Sequence, residues 1–368
     1  MTSTAPTSAP KTWSSVLLAL GIGGIGGWLA YSISFPLPWM IGSMVFTTVA
    51  AMLGAPIAMA SSLRTAMMTV LGVMLGSGFT PEILSALGAW SGSLALVSLY
   101  IVLSTACGYL YFHHVCGYDK ASAYFSATPG GLSEMVLLGG QYGGDPRVIS
   151  LVHATRILLI VVAIPFGFYW LSDLEPGQTG GVGPGWSDVG LTAGILLVAC
   201  AIAGFFGARA MKIPAAPVVG PMVLSSIVHL MGLTKAAPPM DLVSMAQVAI
   251  GAAIGARFYG TSAMMVLKTI IHSAGATLLL VMITLALASF LVFMTPISLA
   301  PLVLAYAPGG LAEMSLIAIA LGADAALVAT HHIVRIALIV VCAGPIYRLI
   351  EHRLGKREQS ATRKETTP

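Results

Sequence analysis

Two short runs of this chain hold the residues that could do chemistry, and they are copies of one another. ATPGGLSEM (127–135) matches YAPGGLAEM (306–314), so Pro129, Gly130, Gly131 and Glu134 correspond to Pro308, Gly309, Gly310 and Glu313 at an offset of 179. The same offset carries Asp145 to Asp324, His153 to His332 and Arg156 to Arg335. Glu and His can take up and release protons, and a guanidinium can hold a carboxylate or other oxyanion in a two-pronged fashion. Proline removes a backbone donor and glycine relaxes a helix, so each P-G-G leaves an unwound turn whose N–H and C=O groups can also meet a solute. A spacing of three puts His153 with Arg156, and His332 with Arg335, on one helix face. Together these positions form a candidate substrate- or ion-binding set suited to proton-coupled movement of a small polar or anionic solute.

Structural roles compete for each residue. Asp145-Pro146 reads as an N-cap followed by proline at the first helical position, and Asp324 also precedes a helix, so capping suffices to explain both aspartates. An arginine inside an apolar helix needs a partner, and Glu134 and Glu313 are the obvious ones, whether the pairs hold the fold or bind a ligand. Other positions are weaker. His113-His114 lies at a segment end, and the neighbours His331 and His332 point to different faces and cannot easily share a metal. The glycines of GIGGIGG (21–27) lack the strand and the Lys-Ser/Thr of a phosphate loop. Like Gly72/Gly76 and Gly251/Gly255, they read as close helix packing.

These residues must be positioned by membrane helices. Of 368 residues 57% are hydrophobic and 8% charged, too few charges for a water-facing surface. The mean hydropathy of +0.92 agrees. Apolar runs of about twenty residues exclude a porin-type barrel. They fall near 14–33, 37–54, 63–80, 84–112, 119–142 and 147–171, then near 187–208, 214–232, 241–259, 263–294, 298–321 and 325–349. The expected organisation is a disordered leader (1–13), a membrane repeat (14–172), a Gly/Pro-rich linker (173–188), a second repeat (189–350) and a cytoplasmic tail (351–368). Further pairs support duplication: Pro36, Gly42, Met44 and Gly54 meet Pro214, Gly220, Met222 and Gly232 at an offset of 178. Internal repeats of this kind are a hallmark of secondary transporters.

Charge selects between parallel and inverted repeats. With six crossings per half, ten flanking Lys and Arg lie inside and five outside. If one segment per half turns back, the second copy inverts, and fourteen lie inside against Lys235 alone outside. Positive charge favours the cytoplasmic side, so the inverted arrangement is expected, with 119–142 and 298–321 turning back at their P-G-G breaks. The basic tail (Arg348 to Lys364) reads as the cytoplasmic flank of a last helix, not as a nucleic-acid site. Cys107, Cys116, Cys200 and Cys342 form no C-x-x-C and imply neither disulfide framework nor metal site.

The duplicated P-G-G-L-x-E-M, each followed by an aspartate-led helix with H-x-x-R, resembles the bacterial membrane AbrB duplication family, over nearly the whole chain from Trp13 to Arg353. Members carry ammonia monooxygenase or AbrB-type regulator labels, and the family is grouped with the cation/proton antiporter and anion transporter superfamily. The resemblance implies inverted repeats with broken helices in a bacterial inner (plasma) membrane. The residues oppose the enzyme label, since a copper monooxygenase needs clustered histidines. They supply no helix-turn-helix for direct regulation either. The expectation is an all-α polytopic membrane protein that moves a small solute or ion. A membrane sensor affecting gene expression indirectly is the alternative, and an oxidoreductase comes last. Expected partners are the solute, the lipid bilayer and, as an option, a second copy in a homodimer; no nucleic acid, cofactor or metal is expected.

Overall fold

The computed structural model describes residues 12–171 and 184–365, so most of the expected leader and most of the expected linker lie outside the described residues. The first half forms α1 (Trp13–Ser32), α2 (Pro38–Met52), α3 (Ser61–Ser77), α4 (Pro81–Leu110), α5 (Lys120–Ala127), α6 (Leu132–Gln141) and α7 (Pro146–Leu171). The second forms α8 (Leu191–Ala210), α9 (Ala216–Leu230), α10 (Met240–Gly255), α11 (Ala263–Met294), α12 (Leu299–Tyr306), α13 (Leu311–Ala320) and α14 (Ala325–Glu365). The protein is an all-α polytopic membrane protein, with seven helices long and apolar enough to cross a bilayer among the described residues. Proline begins α2 and α4 and lies in the first turn of α9, where its missing N–H costs nothing. Thr12, Asp119 and Ser262 cap α1, α5 and α11 through their side-chain oxygens.

Backbone conformation recurs with the sequence. Left-handed residues occur at Ser34, Leu37 and Gly54 and again at Lys212, Ala215 and Gly232, at the offset of 178. Gly143 and Gly322 match in the same way at 179. Leu37 and Ala215 both adopt this disfavoured conformation just before α2 and α9, which fixes the angle at which each short helix leaves its predecessor.

The helices form two groups. α1–α3 pack with α8–α10, and α4–α7 pack with α11–α14; the groups meet where α2 and the turn after α10 touch α7 and where α3 touches α13 and α14. Close approach inside the first group depends on glycine. A Cβ on Gly72 would lie 2.5 Å from the Val218 carbonyl oxygen, and one on Gly76 would lie 2.6 Å from Cβ of Ser225. Gly251 meets Met40, and Gly255 meets Thr47 and Thr48. Both G-x-x-x-G pairs therefore serve helix packing.

These contacts also give direction. α9 runs parallel to α3, and α10 parallel to α2. α1 and α2 are antiparallel, with Gly27 against Trp39 and Gly23 against Ser43. The loop before α3 returns to the start of α1, where the Ala58 N–H donates to the Ser15 carbonyl at 3.4 Å. So α3 runs with α1 and against α2. Helices at matching sequence positions run in opposite directions: α9 opposes α2, and α10 opposes α3.

Arg64 at the start of α3 and Arg257 just after α10 share one face of the molecule. Arg257 donates to Ser150 Oγ near the start of α7 at 3.1 Å, and Arg209 ends α8 across a cavity from Ser61 and Thr65. The opposite face carries Tyr31, Ser34 and Asp241 around a cavity of about 540 Å³.

Candidate functional site

Each P-G-G splits its segment into two half-helices, α5 with α6 and α12 with α13. The first pair turns back on itself: the Asp145 N–H, beyond the end of α6, donates at 2.7 Å to Ser122 Oγ at the start of α5. In the second pair Ser298 and Asp324, at the two ends, line one cavity. Both segments expected to turn back are thus helical hairpins. They enter from opposite faces. The mouth of the first lies beside Tyr347 and Glu351, and that of the second beside Leu327. Those positions are roughly 36 Å apart along α14, a full bilayer thickness.

The aspartates stay at the mouths. Asp145 Oδ1 accepts from the Arg147 N–H at 2.8 Å, and Asp324 Oδ1 from the Leu327 N–H at 3.0 Å, so each caps the helix it precedes. The arginines lie eleven residues deeper, roughly 16 Å along each helix and near the middle of a hydrocarbon layer about 30 Å thick. The structure therefore separates Asp145 and Asp324 from the deeper candidates.

Proline and histidine act together. Pro129 has no N–H, so the carbonyl four residues earlier, on Phe125, has no helical donor. His153 Nε2 lies 2.9 Å from that oxygen and supplies the missing bond. In the second hairpin Pro308 orphans the Leu304 carbonyl, and His332 Nε2 meets it at 3.0 Å. The other ring nitrogen accepts from the neighbouring guanidinium: His153 Nδ1 from Arg156 Nη2 at 2.9 Å, and His332 Nδ1 from Arg335 Nη2 at 3.0 Å. Since a guanidinium only donates, each ring carries its proton on Nε2.

Beyond this shared pattern the halves diverge. Arg335 Nη1 donates to the Ala307 carbonyl at 2.7 Å and Nη2 to that of Gly309 at 2.9 Å, so the second break is tied to α14. In the first break the matching Thr128 carbonyl accepts from Gly130 N–H at 2.8 Å instead, closing the turn on itself. Arg156 is left with Nε and Nη1 unpartnered, although the residue is only 4% exposed.

The expected Glu–Arg pairing does not form: the arginine partners are carbonyls and histidines. Glu134 and Glu313 occupy the third position of α6 and α13 and fold back onto the first turn. There a carboxylate meets helix N–H groups and the positive end of the dipole. A Cβ on Gly131 would lie 3.1 Å from Cδ of Glu134, and one on Gly310 2.8 Å from Cδ of Glu313. The glycines before the helices thus make room for the glutamates. Glu313 is buried and Glu134 partly exposed. The two breaks abut one turn of α14: Arg335 holds Gly309, and a Cβ on Gly130 would lie 2.9 Å from Cγ2 of Ile339.

Comparison with known proteins agrees with this architecture. The family model described as "Transition state regulatory protein AbrB" matches residues 39–351. The chain belongs to the AbrB family. It is 27% identical over 361 residues to "Uncharacterized protein YhjN" of Bacillus subtilis (strain 168), covering 92% of this chain and 94% of the relative. It is 24% identical over 345 residues to "Putative regulator AbrB" of Escherichia coli (strain K12), covering 93% and 96%. No solved structure matches. The AbrB match spans both hairpins and both His–Arg pairs.

Several residues at this centre escaped sequence reasoning. Tyr100 of α4 is fully buried, stacks edge-on with Tyr306 at 5.5 Å and lies within the field of both Arg156 and Arg335. The Tyr306 hydroxyl donates to the Ser93 carbonyl, and His331 Nε2 hydrogen-bonds Ser93 Oγ at 2.9 Å, joining α4, α12 and α14. Tyr100 has no ionisable counterpart at the repeat offset and sits in an unbroken apolar run, so nothing local distinguishes it.

Proposed function

We propose that this AbrB-family protein is a secondary transporter of a small polar or anionic solute, not an enzyme. Its two halves are read as inverted copies of five helices and one hairpin. The observation that carries the reading is the pair of hairpins. They enter from opposite faces and end against the same turn of α14, beside two buried His–Arg pairs. Non-helical backbone at such depth is tolerated where protein encloses it or where it lines a solute path. Sparse contact between the two helix groups is compatible with one sliding against the other to expose the centre alternately. The basic face with Arg64, Arg209 and Arg257 is assigned to the cytoplasm of a bacterial plasma membrane, which puts the C-terminal tail there too. Coupling to protons is part of the proposal, since Glu134 and Glu313 sit at the breaks. Purified protein in proteoliposomes should take up at least one solute from a panel of carboxylates, amines and sugars, with a rate that responds to an imposed pH gradient. No uptake of any panel member would remove the reading.

A second reading has one specific support, the words "regulatory" in the description of the family model and "regulator" in the name of the E. coli relative. In it the same centre binds a ligand without moving it and affects gene expression indirectly. Ligand binding without uptake, together with altered transcript levels in a deletion strain, would favour it.

A further inference from the structure

The buried guanidinium of Arg156 has donors to spare and no acceptor for them. Nη2 serves His153, while Nε and Nη1, which carry three N–H groups between them, meet nothing. The Tyr100 hydroxyl, buried within the field of the same two guanidinium groups, lies near Thr284 but makes no hydrogen bond of good geometry, since the Thr284 hydroxyl donates to the Tyr306 carbonyl. Among the described residues no carboxylate compensates this pair of cations, because Glu134 and Glu313 are turned onto the first turns of α6 and α13. A buried cation is strongly unfavourable unless paired and hydrogen-bonded. The second half shows how such a centre is met: carbonyls of the break take both terminal nitrogens of Arg335, and only its Nε is left without a partner. In the first half the Thr128 carbonyl has turned away to Gly130.

We propose that Arg156, together with Tyr100, is the binding point for one small oxyanion, a carboxylate, which occupies at Arg156 the place that the break carbonyls occupy at Arg335. Resting on the functional reading above, this names the ligand class and the residue that holds it. A planar carboxylate matches a planar guanidinium, and its second oxygen can accept from the tyrosine hydroxyl. Arg335 contributes charge from the other half without giving up its carbonyls. A bound anion and a Thr128–Arg156 contact like that of Ala307 with Arg335 exclude one another, so release of the ligand and tying of the first break to Arg156 are one event.

The test uses the full chain in lipid nanodiscs and two readouts. In chloride buffer Arg156→Gln should leave the melting temperature unchanged or raise it, because it removes an uncompensated charge. Arg335→Gln should lower it. Equal losses in both variants would make Arg156 structural and overturn the proposal. Sodium acetate, pyruvate, succinate, citrate, sulfate and phosphate are then compared with sodium chloride at matched ionic strength. At least one carboxylate should stabilise the wild type, with half-saturation shifted about thirtyfold or more in Arg156→Lys, which keeps the charge but loses the planar donors. Tyr100→Phe should shift it by a smaller factor. Stabilisation by sulfate or phosphate alone overturns the carboxylate assignment, and stabilisation by none of the six, or indifferent to Arg156, overturns the site. Arg156-dependent binding without uptake in proteoliposomes keeps this site and removes transport; uptake indifferent to Arg156 does the reverse.

Discussion

In the second hairpin, Arg335 fastens the Ala307 and Gly309 carbonyls to α14, and Glu313 is buried beneath the turn. In the first, Thr128 bonds within its own turn, Arg156 keeps three idle N–H groups, and Glu134 is partly exposed. Residue types are the same at Glu, His and Arg, so the difference is one of conformation. The same arginine can be either an internal tie or a vacant cation, depending on where one carbonyl points. The histidines do not share in this asymmetry. Both repair the carbonyl that a proline orphans, and both accept from their arginine. The common parts hold the half-helices in place, and the differing parts are the ones able to switch.

The largest expected effect breaks that comparison at its arginines. Arg335→Gln strips two carbonyls and a histidine of their donor and should cost about 3 kcal/mol or more of stability, whereas Arg156→Gln should cost less than about 1 kcal/mol. Denaturant titration in mixed micelles measures both, and matching losses would erase the distinction between halves.

Next come the histidines, where the halves should agree. His153→Ala and His332→Ala each orphan one buried carbonyl and should each cost about 1–3 kcal/mol. In a Pro308→Ala background the backbone N–H returns, so His332→Ala should cost about 1 kcal/mol less than in the parent. A double-mutant cycle with no coupling would disconnect proline from histidine.

Smaller effects are expected at the glycines before the second half-helices. Gly310→Ala drives a methyl group into the buried Glu313 carboxylate and should cost about 1–3 kcal/mol. Gly131→Ala meets the more exposed Glu134, which can swing aside, and should cost about half as much by thermal melt. An equal cost would mean that the two glutamates are held alike.

The least perturbing experiment concerns orientation. Single cysteines at Ser34 and Ser298, in a background lacking the four native cysteines, should react with an impermeant maleimide from outside the cell. Cysteines at Ser61 and Lys212 should react only after the membrane is opened. If Ser34 and Ser61 label from the same side, the antiparallel course of α1 and α2 relative to the membrane is wrong.

Much of this architecture was legible because its signals are local. Apolar runs, the P-G-G breaks, and Asp145 and Asp324 as caps depend on residues within a helical turn or two, the range over which backbone hydrogen bonding operates. The turning back of 119–142 and 298–321 also followed from sequence: loop charge asked for one such segment in each half, and the P-G-G breaks said which. The Glu–Arg pairing did not, because an arginine inside an apolar helix calls for a partner and the glutamates of the neighbouring segments were the obvious opposite charges, whereas carbonyls of an unwound turn carry no mark in the sequence. Here each glutamate carboxyl lies instead against the glycine that precedes its own half-helix, Gly131 or Gly310.

Sequence alone determined which residues meet across three or four positions: Pro129 with the Phe125 carbonyl it leaves bare, His153 beside Arg156, and the same in the second copy. Only the tertiary structure decided that Tyr100 lies in the field of two arginines 179 residues apart, and that break carbonyls take both terminal nitrogens of one while the other keeps Nε and Nη1 bare. The reason is physical. Local hydrogen bonds are fixed by chain geometry and repeat wherever the residues repeat. A carbonyl in an unwound turn has no helical partner to hold it, and which way it points depends on everything packed around it.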